Sequence, residues 1–255
     1  MSKTLSLVVF LLALVAFAPA QTTTCNADRV FSAGTGDFAM QFCVTDNGNI
    51  AQYATPLANE HILTGTVGEG AGFCDVTGQL GTSVEYYDYA GGGATTNWDN
   101  PSIDQPGGPN TFPLTITRKT NDGLWKLVQT FSQVVGDRAV KIKMELHNLT
   151  AVDRVVNLIR YADIDASGKS RNTFLATPFT AIADAFANVG VELRDAGHSP
   201  SVPIVQKVSG GPSPCTPDAN AASAVFTGNG SLVLNYNRTV PKNGSKIVTV
   251  LYRPI

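Results

Sequence analysis

The stretch "AVKIKMELHN", from Ala139 to Asn148, constrains the fold more than any other part of the chain. Val140, Ile142, Met144 and Leu146 alternate with Lys141, Lys143, Glu145 and His147. A period of two puts the first set on one side of an extended chain and the second on the other, whereas a helix would scatter both around its circumference. The stretch is therefore a strand with one buried and one solvated face. Before it, "FPLTITRKT" and "LWKLVQTFSQV" flank Asn121-Asp122-Gly123, residues that tolerate positive φ and so make a hairpin turn. Gly136-Asp137 and the stretch from Thr150 to Asp153 supply the next turns, and "RVVNLIRYADID" follows. The pattern predicts four antiparallel strands in a meander, from Phe112 to Asp165.

Further strands are expected at Asp37–Thr45, Asn49–Ala54, Gly72–Val76, Ser83–Tyr89, Ser231–Val240 and Lys246–Arg253. "TAIADAFANV", from Thr180, is the one short helix the sequence offers, on its alanine content, although its length leaves it marginal alone. Two linkers interrupt the strands: Ala90 to Asn110, with three prolines, and Asp195 to Asn220, with five. Strands continue after each, so neither divides a domain, and long loops on a β scaffold are often functional. No repeat of propeller or solenoid length is present. The expected fold class is all-β: a large antiparallel two-sheet sandwich with at most one short helix beyond the leader.

That leader is "MSKTLSLVVFLLALVAFAPA". One cation, Lys3, precedes an apolar run from Leu5 to Phe17, and Ala18-Pro19-Ala20 forms a small-residue cleavage site. This reads as a secretory signal peptide over residues 1–20, with a single domain over 21–255. The run is short for a membrane span, which needs about 20 apolar residues, and no other long one follows. Cys25 follows three threonines and so lacks a lipobox. The mature chain is expected to be secreted, periplasmic or displayed at the cell surface, with no transmembrane segment after cleavage. Lys3 being the leader's only charge, 17 of the 18 Lys and Arg remain against 20 Asp and Glu. That balance argues against a nucleic-acid partner, which needs a clustered basic surface.

Four cysteines, Cys25, Cys43, Cys74 and Cys215, lie in the exported part. An even count outside the cytosol suggests two disulfides, for which Cys25–Cys43 and Cys74–Cys215 are the favoured pairs among three connectivities. The unequal spacing, without a C-x-x-C, disfavours zinc.

The succession "GEGAGFCD", "YYDY", "PLTITRKTNDGLWKLVQTF", "VKIKMELHNLT" and "NLIRYADIDASG" resembles a group of exported bacterial β-proteins. More distantly, it is similar to the supersandwich domains typified by galactose mutarotase, over roughly residues 48–190. The resemblance implies a supersandwich fold and carbohydrate binding or processing. The paired histidines and Glu base of the mutarotase pattern have no counterpart, because His61, His147 and His198 are scattered along the sequence. The fold carries over and the activity does not.

Four groups of residues carry possible chemistry. In "DIDASGKSRN", Asp163, Asp165, Ser167 and Gly168 match the first ligand positions of a calcium loop, but Phe174 stands where the bidentate Glu belongs. Calcium is the one cofactor this loop allows, with ligands from elsewhere; the bland alternative is a strand end that turns. Gly168-Lys169-Ser170 resembles a P-loop tail, yet Asp163 occupies the place of the required glycine. As a carboxylate pair, Asp163 and Asp165 lie on one face of one strand, whereas glycosidase acids flank the bond from two sides. Tyr87 and Tyr89, with Trp98 and Asp99, have the amphipathic character of a sugar-stacking platform, against the reading that they are core. Glu69, among the glycines of "GTVGEGAGFCD", is a candidate acid/base group, and its glycines read more simply as a bulge or tight bend. Neither a G-x-S-x-G elbow nor an H-E-x-x-H motif occurs.

Taken from sequence, the chain is a non-enzymatic binding or surface-structural module with carbohydrate as the favoured partner. Its rival is a carbohydrate-active epimerase, lyase or hydrolase that uses Glu69 or the Asp163/Asp165 pair.

Overall fold

The structure is a computed structural model. It describes residues 29–255 except 63–67, 79–80, 92, 135, 178–179, 187–188, 198–201, 207–210, 220 and 222–224. The expected signal peptide and Cys25 lie outside the described residues. Among the described residues no helix is long and apolar enough to cross a membrane.

Among the described residues eighteen strands run in order: β1 (Val30–Ala33), β2 (Met40–Val44), β3 (Ile50–Ala54), β4 (Glu69–Asp75), β5 (Val84–Tyr89), β6 (Gly93–Ala94), β7 (Ser102–Asp104), β8 (Leu114–Lys119), β9 (Trp125–Gln133), β10 (Val140–Asn148), β11 (Arg154–Asp163), β12 (Asn172–Thr177), β13 (Thr180–Phe186), β14 (Val189–Asp195), β15 (Val202–Gln206), β16 (Val225–Gly228), β17 (Ser231–Val240) and β18 (Ser245–Pro254). They form a nine-stranded sheet, β16-β12-β13-β14-β18-β10-β9-β8-β7, and a six-stranded sheet, β15-β17-β11-β4-β5-β6. A three-stranded sheet, β1-β2-β3, closes one side. One apolar core joins all three, through Phe42 and Tyr53 from the small sheet, Trp125, Phe131, Met144 and Val250 from the large one, and Phe73, Leu158 and Tyr236 from the third. This is the expected all-β sandwich.

β10 alternates as read, with Val140, Ile142, Met144 and Leu146 fully buried. The four-stranded meander is corrected. β8, β9 and β10 are consecutive neighbours, but β11 crosses to the other sheet and pairs with β17 and β4, leaving β18 to take the free edge of β10. The reason lies in its sequence, since from Leu158 to Asp163 every residue is buried. A strand apolar on both faces must sit inside a sheet that is covered on both sides.

The helix expected from Thr180 is strand β13, held between β12 and β14. Ala181 and Ala183 alternate inward, and pairing on both edges outweighs a helix preference worth only tenths of a kcal/mol per residue. Both linkers also contribute strands, β6 and β7 in the first and β15 in the second.

The bend expected around Glu69 is instead the first residue of β4, a strand buried along its whole length. Gly70 and Gly72 are there for clearance. A Cβ on Gly72 would come within 2.7 Å of both Tyr87 Cβ and the Tyr89 hydroxyl, and 3.1 Å of Pro214 Cγ.

Cys74 and Cys215 form the expected disulfide across 141 residues of sequence. Cys43 is also disulfide-bonded, and its expected partner lies among the residues not described. The Cys74–Cys215 bond fastens the segment from Gly211 to Ala219 against β4 and β5. There the Tyr89 hydroxyl donates to Pro212 O at 3.0 Å, and Ser213 Oγ and Cys215 N donate to Glu85 Oε1. Replacing both cysteines with serine is expected to cost about 2–5 kcal/mol, measured by urea unfolding. An unchanged midpoint would mean the segment is held by its other contacts.

Candidate functional site

Two polar constellations lie on opposite faces of the six-stranded sheet. Paired residues on neighbouring strands share a face, so the register assigns each side chain.

The inner face carries three acid–arginine pairs. Glu69 meets Arg160, Asp75 meets Arg154 Nη1 at 2.6 Å, and Asp88 meets Arg118 Nη1 at 2.8 Å. Glu69 and Arg160 are both fully buried. Glu69 accepts from Arg160 Nε, from the Tyr252 hydroxyl at 2.5 Å and from Ile50 N at 2.5 Å. Arg160 Nη1 donates to Gln129 Oε1 at 2.7 Å and to Gly48 O at 3.4 Å. Burial pushes the Glu69 carboxyl above its ordinary range despite the pull of Arg160. Burial acts to lower Arg160, but Glu69 and Tyr252 outweigh it and hold the guanidinium above its ordinary value. The group ties both large sheets to the small one. With no surface exposed and each of its oxygens engaged, Glu69 has structural duties that leave nothing facing a substrate.

Trp98 belongs to this side too. Its ring packs edge-on against Phe73 and Tyr86, under the Arg118 guanidinium at 5.0 Å. Asp99 beside it is exposed, and its backbone carbonyl accepts from Arg118 Nε at 3.4 Å. The expected platform is therefore divided, with Trp98 and Asp99 on one side of the sheet and Tyr87 and Tyr89 on the other.

The outer face holds the second constellation. Tyr87 and Tyr89 stack with centroids 5.0 Å apart, and Tyr89 in turn packs on Tyr161 at 5.1 Å. Ile159, Val233 and Ile204 complete this small apolar cluster. Tyr89 and Tyr161 are fully buried and Tyr87 is half-buried. Along the same face β11 presents Ile159, Tyr161 and Asp163, opposite Asn235, Val233 and Ser231 of β17. Several buried polar atoms near this face lack a partner, as do Arg160 Nη2 and Trp98 Nε1 on the inner side and Asp184 Oδ1, Glu192 Oε1 and Asp195 Oδ2 in the large sheet. The Tyr161 hydroxyl, Asp163 Oδ1, Asp165 Oδ1 and Asn235 Oδ1 are all buried and have no partner.

Asp163 is only 3% exposed. Burial, and then the neighbouring charge of Asp165, push its carboxyl up to about 7. Burial raises Asp165 as well, and raises the Tyr161 phenol, to which Asp163 and then Glu69 add. Past β11 the chain makes a 3₁₀ turn, Ala166–Gly168, with Ser167 at φ 55°. Ser167 Oγ donates to Asn59 Oδ1 at 3.0 Å, and Ser167 N donates to His61 Nδ1 at 3.3 Å. Burial lowers His61, so its ring stays neutral and serves the turn. His147 lies on β10 beside Glu145, at 3.3 Å, and His198 lies outside the described residues.

The structure thus puts Asp163 on the same face of β11 as Tyr161, leaves Asp165 past the strand end where its charge acts on Asp163, and turns the Ser167 hydroxyl to Asn59. Among the described residues no group of three or more His, Cys, Asp or Glu is placed to hold a metal ion. Tyr161 and Asn235, each with an unpartnered buried oxygen, were not singled out in the sequence. The available signal was period two, because Tyr161 shares a face with Asp163.

No protein-family model matches the chain, and no curated protein matches it. Among solved structures the chain is similar to a bacterial glucoamylase complexed with acarbose, with TM-score 0.61 and 11% identity over 91% of this chain and 32% of the other. Looser alignments reach a 4-alpha-glucanotransferase from Thermococcus litoralis (TM-score 0.49, 8% identity, 89% of this chain and 38% of the other). They also reach a protein described as an aldose 1-epimerase from Escherichia coli K12 (TM-score 0.49, 10% identity, 88% and 98%). The chain spans about a third of the glucoamylase's length. The distant similarity read from strand rhythm is one of architecture, and the chain is an all-β sandwich sharing the fold of a part of that glucoamylase.

Proposed function

We propose that this is an exported carbohydrate-binding module whose site is the outer face of the six-stranded sheet, at the end of β11. One observation carries the reading: Tyr161 and Asp163 on β11 and Asn235 on β17 each keep a buried oxygen without a partner on the face where the half-buried Tyr87 stacks on Tyr89. Buried polar groups are nearly always paired, so a group of unpaired ones on one face suggests a ligand that pairs them. Sugars have the matching chemistry. Their C–H faces lie on aromatic rings while their hydroxyls bond to carboxylates and amides. The fold it shares with part of a carbohydrate-active enzyme agrees with this assignment.

Glycan-array screening of the mature chain tests it. Binding is expected, with a loss of about tenfold or more in Tyr87→Ala, since a stacked aromatic contributes on the order of 1–2 kcal/mol. Binding untouched by Tyr87→Ala but lost in Trp98→Ala would move the site to the other side of the sheet.

One observation favours a second reading, in which the module acts on its ligand. A carboxyl pushed up to about 7 is poised to give and take a proton near neutral pH. In that case Asp163 is the acid/base group and Asp163→Asn abolishes turnover. Glu69→Gln would leave it intact apart from any loss of fold.

A further inference from the structure

The second long linker returns over the outer face, and where it lands decides how much of the tyrosine stack a ligand can reach. Register puts Glu85, Tyr87 and Tyr89 of β5 on that face, beside Cys74 and Gly72 of β4. The segment from Gly211 to Ala219 lies on these residues. Its Pro212, Pro214 and Pro217 are buried, while Gly211, Thr216, Asp218 and Ala219 are exposed. Pro212 O accepts from the Tyr89 hydroxyl. Pro214 Cγ, Tyr87 Cβ and the Tyr89 hydroxyl crowd the point where a Cβ on Gly72 would stand, so the absence of that carbon lets the segment settle on the sheet. Under this cover Tyr89 is fully buried, whereas its stacking partner Tyr87 is half-buried.

The attachment is local. The segment folds on its own turns, Thr216 N donating to Ser213 O at 3.2 Å and Ala219 N to Thr216 O at 3.0 Å. It meets β5 through the Tyr89 hydroxyl and through Glu85, which accepts from Ser213 Oγ and Cys215 N, and its prolines have no N–H to add. Beneath the segment Tyr89 belongs to a small cluster with Ile159, Tyr161, Ile204 and Val233, separate from the apolar core that joins the three sheets. Lifting the segment therefore opens the small cluster and leaves the main core packed. The covalent tie to β4 is the Cys74–Cys215 bond. Without it, the same few contacts have to hold a long loop against the entropy of releasing it.

We infer that the segment from Gly211 to Ala219 is a redox-released cover over the outer-face site, closed while Cys74–Cys215 is intact and open once that bond is reduced. The inference rests on the carbohydrate reading for the ligand and adds its regulation: the closed stack offers Tyr87 alone, and the open one offers Tyr87 and Tyr89. The reductant is a dithiol. Cys74 is buried and Cys215 half-buried, so a thiolate attacks the Cys215 sulfur and the Cys74 sulfur leaves as thiolate. The second thiol of the reductant then displaces Cys215, which leaves the reductant as a disulfide and both cysteines as thiols.

Hydroxyl-radical footprinting of the mature chain tests this on the oxidised wild type, the wild type treated with dithiothreitol, and Cys74→Ser/Cys215→Ser. Cys43 is also disulfide-bonded and open to the same reagent, so the double variant isolates the bond in question. Labelling of Tyr89 is expected to rise about fivefold or more in the reduced and variant chains. Tyr53, fully buried in the main core, is expected to stay protected in all three. Glycan affinity of the double variant is expected to exceed that of the oxidised wild type about fivefold or more, as a second ring joins the stack. Tyr89 protected throughout overturns the cover, its other contacts then being enough to hold it. Tyr89 and Tyr53 labelled together also overturn it, because the bond then holds the whole fold. Tyr89 exposed with glycan affinity unchanged overturns the control of the site. No glycan bound in any state overturns the carbohydrate reading, and the footprint alone then decides the cover.

Discussion

Asp163→Asn is expected to make the protein more stable at pH 8, by about 2–4 kcal/mol, while it destroys ligand binding. The stability arises from the proton. Burial, with Asp165 second, raises the Asp163 carboxyl from 3.8 to about 7 in the folded chain. Between those values the folded state keeps a proton that the unfolded state has lost, so stability falls as pH rises from about 4 to about 7. Above that the charged form is buried at full cost. One pKa unit corresponds to about 1.4 kcal/mol, which bounds the effect near 4 kcal/mol, and some solvent reaches the group. Asparagine has the same shape without the charge, so the pH-dependent loss disappears. Thermal melts at pH 5 and pH 8 check it. The wild-type midpoint should fall on the order of 5–10 °C between them, beyond the background trend, and the variant's should not. A residue that lowers stability at its working pH is one retained for something other than folding.

Arg160→Met should have the opposite character, a loss of about 3–5 kcal/mol with no direct effect on the outer face. Arg160 is fully buried, and removing it leaves Glu69 without its counter-charge, so the buried carboxylate must either stay charged at high cost or take up a proton, with only the Tyr252 hydroxyl and Ile50 N as donors. Replacing both partners, Glu69→Leu with Arg160→Met, should recover a substantial part of that loss, because an apolar pair avoids the desolvation that the ion pair has to offset. Urea unfolding of the two single variants and the double variant gives the coupling directly. Additive losses would mean that the two side chains do not act as a unit. Glu69→Gln should lower stability and leave glycan affinity unchanged in whatever fraction folds, which separates this constellation from the one across the sheet.

Much of the fold was legible because it rests on period two. β10, β9 and β8 alternate clearly, and Asn121-Asp122-Gly123 marks their hairpin. β11 was legible as a strand but not as a member of the other sheet, since sheet membership depends on what covers its second face. The run from Leu158 to Asp163 held that signal, obscured by Arg160 and by the polar turn that follows Asp163. The strand from Thr180 was obscured by its alanines, which report helix propensity while their alternation reports the sheet. At the site, the Asp163/Asp165 pair and the Tyr87/Tyr89 face were visible as residues. The sequence gives no sign that Trp98 sits behind the sheet, because a loop sets its position. Nor does it show that Glu69 is matched by an arginine 91 positions later. That pairing is a product of register between β4 and β11, which no local pattern encodes.

The central claim is that Asp163 is buried with one carboxylate oxygen unpartnered because a ligand completes it. The most direct measurement is glycan affinity and melting temperature taken together, at pH 8, for the wild-type chain and Asp163→Asn. The account predicts a variant that melts higher and no longer binds. A variant that melts higher and binds as before, or one that melts lower because Asp163 was holding the fold together, would contradict it.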